Sequence, residues 1–339
     1  MKKQKKNVIP ICFATDDNYI PLLAVAIASL LDNGSEENYY KIYILTTSLK
    51  QENIDRILKL KTSNSSIKFV SLAKELDKLT DLFHLRDYYS KETYYRIFIP
   101  NLFSQYKKVL YLDCDIVVLK DVAELYNTSL HRDYVAAVQE EVMLTYDVFG
   151  NYVEKNDGIN RNEYFNAGIL LINCQKFREK LMAEKFVDLL NRYTFRVVQD
   201  EDYLNVLCKG HVKWLPLGWN KTSYQNDSFD ENELKLVHYK IIWRPWKYKN
   251  VKYEEYFWKY AQKTDFYEHL LNMRDTYSEE SKQRDNEVMI NLQKMAEEDA
   301  NDPNNYFNTH GERGKGKNIL NRLKKIIHVK TLLSFRRIK

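Results

Sequence analysis

The sequence predicts an α/β fold in which a mainly parallel, doubly wound sheet is flanked by helices. Short apolar runs typical of buried strands alternate with helical segments, as in a series of strand–helix–strand units. Hydrophobic residues make up 44% of the 339 residues, which is ample for a large core. Acidic residues follow two of the predicted strands, at Asp16 and Asp113. Because ligands of such sheets bind outside the carboxyl ends of the strands, both side chains should face one crevice.

Helix signals separate the predicted strands. Pro21 suits the first turn of a helix that Asn33-Gly34 ends, because proline lacks the N–H that a first turn leaves unpaired. Ser48-x-x-Gln51 has the pattern of a capping box before a second helix. A further helix, Ser90–Phe98, should end at Pro100. The remaining predictions are strands at 8–14, 41–46, 67–72, 107–112, 135–138, 168–172 and 234–239, and helices at 174–193, 200–209 and 253–273.

Composition narrows the class of protein. The four cysteines are widely spaced and form no CxxC pair, which favours reduced thiols in a cytosolic protein over a disulfide or zinc framework. The lysine-rich start runs into an apolar segment that contains Pro10 and ends in Asp16-Asp17, which favours a first strand over a signal peptide. No apolar run reaches the roughly 18 residues that a transmembrane helix needs.

Charge is concentrated at the end of the chain. Residues 311–339 hold ten Lys and Arg and one acid, whereas the whole chain carries a net charge of +5. The spacing of Ile319, Leu320, Leu323 and Ile326 predicts a basic amphipathic helix, which is typical of an interfacial anchor on an anionic membrane. A helix that docks on the body or on a second protomer fits the same pattern. We expect a catalytic domain at 1–273, a polar, acidic helix and linker at 274–310, and this basic tail at 311–339.

The strand that ends at Leu112 runs directly into Asp113-Cys114-Asp115. Alternate side chains of a strand share a face, so the two carboxylates should point the same way and Cys114 the other. Adjacent carboxylates repel each other unless they are solvated or bind a cation. A hard divalent cation such as Mg²⁺ or Mn²⁺ would also take phosphate oxygens. A polar turn after a strand is the alternative interpretation.

Six stretches, taken in order over roughly residues 7–273, resemble one family. The chain is similar to the family 8 glycosyltransferases, retaining enzymes of the GT-A fold that include bacterial lipopolysaccharide galactosyltransferases and glycogenin. The resemblance implies a Rossmann-like GT-A sheet, a UDP-sugar donor and a divalent metal, usually Mn²⁺. The matching stretches are FATDDNYIPLLAVAIASLL (13–31), TYYRIFIP (93–100), VLYLDCDIVVLKDVAELY (109–126), FNAGILLINCQKFR (165–178), QDEDYLNVL (199–207) and HYKIIWRPW (238–246).

The resemblance also implies roles for individual residues. Asp113 and Asp115 match the metal-binding pair of the family, and His238 matches its third protein ligand. A histidine packed under aromatic rings is the alternative for His238. Arg96 and Arg244 are candidates for binding the diphosphate, since Arg suits bidentate contact with phosphate oxygens. A surface salt bridge is the alternative for either arginine.

The resemblance also implies contacts to the nucleoside and to the donor sugar. In the first loop, Asp16 can accept from the uracil imide, Asn18 can bond the ribose and Tyr19 offers a stacking face. An Asx turn before the first helix favours the same residue types. The residues that match donor contacts are Ala14, Asp16, Asn18 and Tyr19 for the nucleoside, and Asn166, Ala167, Gly168 and Asp200 for the sugar.

The sequence departs from the family pattern at two places. The family more often has Lys where Arg244 stands and Gly where Ile241 or Ile242 stands, so a backbone contact to the diphosphate is in doubt. It commonly has Gln where Glu201 stands, near the anomeric carbon. Glu201 could be the nucleophile of a double displacement, or it could stabilise an oxocarbenium-like centre while the acceptor attacks from the leaving-group side. We favour the second mechanism.

These observations predict a hexosyltransferase that moves glucose or galactose from a UDP-sugar to a hydroxyl of a bacterial surface glycan, glycolipid or glycoprotein. Its expected location is the cytoplasm, peripheral at the inner face of the membrane, with no nucleic-acid partner and with homo-oligomerisation left open. The alternative is a glycan- or nucleotide-binding scaffold with little turnover. A sugar-phosphate nucleotidyltransferase would need a Gly-rich, basic loop after the first strand, where this chain has Asp16-Asp17-Asn18.

Overall fold

The computed structural model describes residues 6–73, 91–224, 228–240 and 243–311. Within these ranges the chain forms a seven-stranded sheet and a three-stranded sheet with helices packed around them. The strands are β1 (Asn7–Ala14), β2 (Asn38–Thr46), β3 (Ser65–Ser71), β4 (Val109–Leu112), β5 (Ile116–Val118), β6 (Val135–Ala137), β7 (Ile169–Ile172), β8 (Val212–Trp214), β9 (Lys221–Thr222) and β10 (Leu236–His238).

The large sheet has the order β3-β2-β1-β4-β7-β6-β8. β7 runs antiparallel to β4 and β6, whereas the other neighbouring pairs are parallel, so the prediction of a mainly parallel sheet is confirmed. β1 and β4 are parallel neighbours, and the loops that follow them therefore open at the same edge of the sheet. Asp16 and Asp113 lie on these loops and line one cavity.

The small sheet, in the order β5-β10-β9, brings a distant histidine to this edge. β10 pairs antiparallel with β5, and the register places His238 opposite Ile116. The backbone N–H of Tyr239 donates to the carbonyl oxygen of Asp115 over 2.9 Å. Strand pairing therefore sets His238 beside the loop that carries Asp113 and Asp115.

Helices cover both sheets. In the helix Ile20–Asp32, every residue from Ile20 to Leu30 is buried, and the helix packs against β5 and the helix Glu254–Ala261. A helix that is apolar on all sides belongs in a core. The other α-helices of the described ranges are Gln51–Leu58, Ile99–Leu102, Val122–Tyr126, Glu141–Thr145, Asp147–Tyr152, Cys174–Glu179, Met182–Leu190, Asp200–Cys208, Tyr267–Asp275, Glu279–Asn301 and Tyr306–Thr309.

The prediction of a capping box at Ser48 is wrong. The helix Gln51–Leu58 begins after Lys50, and no side chain of its own N-cap accepts a hydrogen bond. The carboxylate of Asp17, from the loop after β1, instead accepts from the backbone N–H of Lys50 over 3.1 Å and from the side-chain amide of Asn53 over 2.7 Å. A tertiary contact therefore takes the place of the local cap.

Three other helix predictions need correction, one of them at 253–273, where the chain forms the two helices Glu254–Ala261 and Tyr267–Asp275. Residues Lys91–Phe98 form a 3₁₀-helix, and Pro100 lies in the first turn of the helix Ile99–Leu102, where its missing N–H has no cost. Ser90 lies outside the described residues. The helix predicted at 174–193 is two helices, because Leu181 between them adopts the left-handed conformation with φ 54°.

The acidic segment after residue 275 packs on the body of the protein and is not a free spacer. It forms the helix Glu279–Asn301, here called the long helix, which contacts the helix Asp147–Tyr152. Ala296 is fully buried in the core cluster beneath it. The Arg196 Nε donates to Asp299 over 3.0 Å, so one of the acids that suggested a solvated linker forms an ion pair with the body. The acidic composition therefore gave no indication of the apolar face with which the long helix packs on the body.

The end of the described chain is also packed. The Tyr306 ring lies 5.5 Å from the Tyr193 ring and 5.1 Å from the Phe195 ring, measured between centroids. The amphipathic helix predicted in the basic tail, from residue 312 onward, lies outside the described residues. None of the described helices combines the length and the apolar character that crossing a bilayer requires. The four cysteines are buried and free of disulfides, as predicted.

Candidate active site

Three side chains that were expected to bind a metal lie together at the edge of the large sheet. One ligand atom from each of Asp113, Asp115 and His238 lies within 4.8 Å of the other two. His238 Nε2 is 3.3 Å from Asp115 Oδ1 and 3.8 Å from Asp113 Oδ2. The Cys114 thiol is directed elsewhere, toward the carbonyl oxygen of Ala14 at 3.2 Å. Carboxylate oxygens with an imidazole nitrogen fit a divalent cation such as Mn²⁺.

A chain of hydrogen bonds fixes the orientation of His238. Its Nδ1 lies 2.9 Å from Asn220 Oδ1, and the Asn220 amide nitrogen donates to Asn166 Oδ1 over 2.6 Å. The Asn166 amide nitrogen in turn donates to Glu140 Oε2 over 2.6 Å. Because the side-chain nitrogen of Asn220 donates to Asn166, the side-chain oxygen of Asn220 is left to accept from His238 Nδ1–H. The lone pair of His238 Nε2 is then left to face the carboxylates, as a metal ligand requires.

Gly168 makes room for this group of ligands. A Cβ atom at this position would overlap His238 Cε1 and would lie 2.7 Å from Asp113 Oδ2. The Gly168 carbonyl accepts from the backbone N–H of Asp113 over 2.8 Å, and its own N–H donates to Asn166 Oδ1 over 2.9 Å. Residue 168 must therefore be glycine because the side chains of His238 and Asp113 leave no room for a Cβ atom. The sequence had suggested a different reason, the close approach of a sugar to the backbone.

Arg96 is buried behind two carboxylates of the site. Its guanidinium lies 3.2 Å from Asp113 Oδ1 and 3.1 Å from Asp200 Oδ2, and its carbon is 4.6 Å from the centre of the Tyr111 ring. Burial by itself would lower the pKa of Arg96, but Asp113 and Asp200 outweigh it and raise the pKa. Arg96 therefore carries a permanent positive charge at the base of the cavity.

The pKa values of Asp113 and Asp115 are shifted in opposite directions. Burial raises the pKa of Asp113, and the Arg96 charge opposes that rise. Burial would also raise the pKa of Asp115, but while His238 is protonated its charge and hydrogen bond, and after them the charge of Arg244, outweigh burial and leave the pKa below the usual value. A charged Asp115 beside a less readily charged Asp113 lowers the repulsion between them.

Glu201 stands at the start of the helix Asp200–Cys208 and faces the same cavity. Its Oε2 accepts from the backbone N–H of Ala167 over 2.7 Å, while Oε1 has no hydrogen-bond partner among the described residues. Burial, and after it the charge of Glu140, raises the pKa of Glu201 well above the usual value, although Lys240 opposes this. Burial therefore favours the neutral form of Glu201 more than it would for an exposed carboxyl group.

The loop after β1 is preorganised by its own side chains. Asp16 Oδ1 accepts from the backbone N–H groups of Asn18 and Tyr19, over 3.0 and 3.1 Å. The Asn18 amide also donates to Asp16 Oδ2 over 3.2 Å. This is the Asx turn that the sequence allowed, and it orients the Tyr19 ring toward the cavity.

Most of the predicted site residues line one cavity of about 220 Å³. Asn18 is exposed outside this lining, and Ala167 is buried behind it, where its N–H contacts Glu201. Ile241 and Ile242, where the family more often has Gly, lie outside the described residues. The predicted residues that line the cavity are Ala14, Asp16, Tyr19, Arg96, Asp113, Asp115, Asn166, Asp200, Glu201, His238 and Arg244.

Several residues of the site were missed from the sequence. Glu140 accepts from Asn166 and from the Lys240 ammonium, and both Glu140 and Lys240 line the cavity. Glu140 follows the short strand β6, as Asp113 follows β4, so the recurring pattern of an acid after a buried strand could have identified it. Asn220 offered no such pattern, because its importance comes from a tertiary contact with His238.

The mainly parallel sheet flanked by helices, with carboxylates at its strand ends, agrees with the GT-A fold. Residues 10–250 match the sequence profile described as Glycosyl transferase family 8. The chain belongs to this family. A Haemophilus influenzae protein, whose name assigns it only provisionally to the glycosyltransferases, is 32% identical over 240 residues, which is 70% of each chain. The lipopolysaccharide 1,2-glucosyltransferase of Escherichia coli is 26% identical over 264 residues, covering 73% of this chain and 75% of its own.

Solved structures support the same fold. The galactosyltransferase LgtC, solved in complex with donor and acceptor sugar analogues, superposes with a TM-score of 0.61 at 24% identity, covering 76% of this chain and 96% of that one. The bifunctional glycosyltransferase WbbM superposes with a TM-score of 0.68 at 24% identity, covering 81% of this chain and 53% of that one. At these identities the likeness establishes the fold alone.

Proposed function

We propose that the chain transfers a hexose, glucose or galactose, from a UDP-sugar to an acceptor hydroxyl of a bacterial surface glycan, glycolipid or glycoprotein, with retention of anomeric configuration. The observation that carries the proposal is the grouping of Asp113, Asp115 and His238 in one cavity with Asp200 and Glu201. The family of the chain and the name of its Escherichia coli relative support a hexosyl donor.

Asp113, Asp115 and His238 would hold the divalent metal, Mn²⁺ or Mg²⁺. When bound, such an ion supplies the positive charge that a diphosphate leaving group requires. Arg244 lines the cavity and would add a second positive charge near the diphosphate. Arg96, already paired with two carboxylates, would contribute by holding them in place and by its field.

The remaining residues would position the donor. Asp16 and Tyr19 would take the uracil, and Asn18 the ribose, from an Asx turn that is already formed. Asp200, fixed by Arg96, would accept from hydroxyls of the hexose. Holding the donor in one pose contributes to catalysis by aligning the anomeric carbon with the acceptor.

Glu201 would stabilise positive charge at the anomeric carbon without forming a bond to it. A nucleophile must be a carboxylate, whereas burial favours the neutral form of this side chain. Its Oε1 is free of hydrogen bonds within the described part of the chain and can face the sugar as the carbonyl oxygen of a neutral acid. In this role Glu201 resembles the glutamine that the family commonly has. The acceptor would then attack from the side of the leaving group, which retains the configuration.

We also propose that residues 311–339 bind an anionic membrane surface, with 1–273 as the catalytic domain and 274–310 as the segment between them. The ten basic residues of the tail support a peripheral location at the inner face of the cytoplasmic membrane. A membrane location would suit an acceptor that carries a lipid.

The test of the function is a donor screen. Full-length protein is incubated with Mn²⁺ and each of several UDP-sugars, and UDP release is measured with and without a bacterial lipid extract as acceptor. We expect release from UDP-glucose or UDP-galactose that the extract increases. A folded protein that releases no UDP from any donor, with or without extract, would support a binding scaffold.

A further inference from the structure

The long helix contributes to the wall of the active-site cavity. Val288, Met289 and Leu292 line the same cavity as the metal-site residues. They lie beyond residue 250, where the match to the family ends. The long helix therefore lies outside the part of the chain that the family profile matches, and yet it contributes to the active-site cavity.

The residues around this part of the long helix give the cavity an apolar side. The segments that lie near the helix contribute valine, methionine and phenylalanine, and the helix itself contributes one acid, Asp285. The lining residues from these segments are Val142, Met143, Phe149, Val197, Val198, Val288, Met289 and Leu292. The charged groups described above line the same cavity, so it joins a charged part to an apolar part.

Part of the apolar face of the long helix packs in the core, and part of it extends beyond the core along the cavity. Leu292, Met295 and Ala296 pack in the cluster of Met143 and Phe149. Val288 and Met289 lie one turn earlier on the same helical face and line the cavity. Both are partly exposed, so they offer apolar surface that a ligand could still cover.

Polar contacts hold the long helix in place on both sides of Val288 and Met289. Toward its start, Asp285 accepts from the hydroxyl groups of Tyr248 and Tyr277, each over 2.7 Å. Toward its end, Asp299 pairs with Arg196. The apolar wall is therefore a fixed surface that exists before any ligand binds, which reduces the ordering cost of binding.

The position of the wall indicates what it would contact. In the proposed reaction the acceptor hydroxyl approaches the sugar beside Glu201, which lines the cavity together with the apolar residues. Sugar hydroxyls placed against valine and methionine would lose their hydrogen bonds to water without replacement. A hydrocarbon group placed there would instead gain the free energy of burying apolar surface.

We propose that the long helix completes an acceptor subsite for an alkyl group, so that the acceptor is a glycolipid whose hydrocarbon part lies close to the accepting hydroxyl. This inference rests on the proposed function, because it concerns the acceptor of the same reaction. The basic tail, with its ten Lys and Arg, would place the enzyme on a surface where such acceptors occur.

The experiment compares alkyl glycosides that share a head group. Binding of methyl and octyl β-glucoside, and of methyl and octyl β-galactoside, to the full-length protein is measured by calorimetry with UDP and Mn²⁺ present, below the concentration at which the octyl compounds form micelles. We expect the octyl compound of at least one pair to bind at least tenfold more tightly. Met289→Ser should reduce that advantage about tenfold, which corresponds to about 1.4 kcal/mol.

The matched control is Ile290→Ser. Ile290 lies on the same helix, next to Met289, but its side chain is 64% exposed to solvent. This variant should bind both glycosides as the wild type does and should release UDP from the donor at the wild-type rate. Val288→Ala is a milder second variant, to be used if Met289→Ser lowers the melting temperature too far for binding to be measured, and it should reduce the octyl advantage severalfold.

The outcomes separate this inference from the proposed function. Equal binding of methyl and octyl glycosides by the wild type would overturn the subsite, as would an equal loss of octyl binding in Met289→Ser and Ile290→Ser. UDP release from the donor by the wild type is measured separately and without any glycoside. An octyl preference that depends on Met289 in a protein that releases no UDP would keep the subsite and overturn the transferase.

Discussion

Asn220 should control metal affinity although it is not a metal ligand. Its oxygen accepts from His238 Nδ1–H at 2.9 Å, and its nitrogen donates to Asn166 at 2.6 Å. Asn220→Ala removes the group that selects the tautomer of His238 and fixes the plane of its ring. Loss of such a partner typically weakens metal binding about 10- to 100-fold. This corresponds to about 1.4 to 2.8 kcal/mol.

The same substitution should also reduce stability. Asn220 is 2% exposed, and its removal leaves His238 Nδ1 and one acceptor site of Asn166 without their partner. An unsatisfied buried polar group costs about 1–3 kcal/mol, so the melting temperature should fall. Metal binding must therefore be measured at a temperature at which circular dichroism confirms that the variant is folded.

The assay is direct titration with Mn²⁺, in which the signal of free Mn²⁺ is followed by electron paramagnetic resonance without any sugar donor. Asn232→Ala is the matched control, because Asn232 is exposed and makes a local hydrogen bond to Asp230. We expect weaker binding in Asn220→Ala and unchanged binding in Asn232→Ala. Wild-type affinity in a folded Asn220→Ala protein would refute the argument that Asn220 prepares His238 as a ligand.

The other predictions concern the carboxylates, the glycine and the tail. Asp113→Ala or Asp115→Ala should lower the rate of UDP release by several powers of ten, since the leaving group loses its metal; activity of the wild type that survives exhaustive EDTA treatment would contradict this. Glu201→Gln should keep substantial activity, and wild-type activity should rise as the pH rises through the raised pKa of Glu201, since a carboxylate stabilises positive charge better than the neutral acid, whereas the Gln variant should lack that rise; a covalent glycosyl adduct on Glu201 in mass spectrometry would show that it is the nucleophile. Gly168→Ala should fold but lose most of its metal affinity and activity, because the added Cβ would overlap His238; a crystal structure with Asp113, Asp115 and His238 undisturbed would refute this. Full-length protein should sediment with anionic liposomes at low salt and be released at high salt, whereas a chain ending at Gly311 should stay in solution and still hydrolyse the donor; equal behaviour of the two would favour docking of the tail on the body. The shortened chain ends at Gly311 so that it keeps Tyr306, which packs against Tyr193 and Phe195.

The sequence was sufficient where local pattern decides the structure. The alternation of strands and helices predicted the large sheet, and the acids after β1 and β4 predicted one shared edge. The spacing of Asp113 and Asp115 predicted that both carboxylates point the same way, as they do. These features depend on periodicity and on the rule that parallel strands end at a common edge, and both can be derived from neighbouring residues.

Tertiary contacts decided what the sequence could not predict. The backbone N–H of Lys50 donates to the carboxylate of Asp17, and not to a capping box. Leu181 adopts a positive φ in the middle of a segment whose sequence predicts one continuous helix. The role of Asn220 depends on the pairing of β9, which directly follows Asn220, with β10, which ends in His238. A helix was predicted between residues 274 and 310 and is present, but the acidic composition did not predict that it packs on the body, because its apolar face is short and interrupted by charged residues.

The central claim is that Asp113, Asp115 and His238 form a metal site for cleavage of a UDP-sugar. It is tested most directly by measuring UDP release from UDP-glucose and UDP-galactose by metal-stripped full-length protein, titrated with Mn²⁺ alongside His238→Ala. The account predicts that release from at least one donor appears only as Mn²⁺ is added, and that His238→Ala requires far more Mn²⁺ or remains inactive. Release that is equally fast in the stripped wild type, or unchanged in His238→Ala, would contradict it.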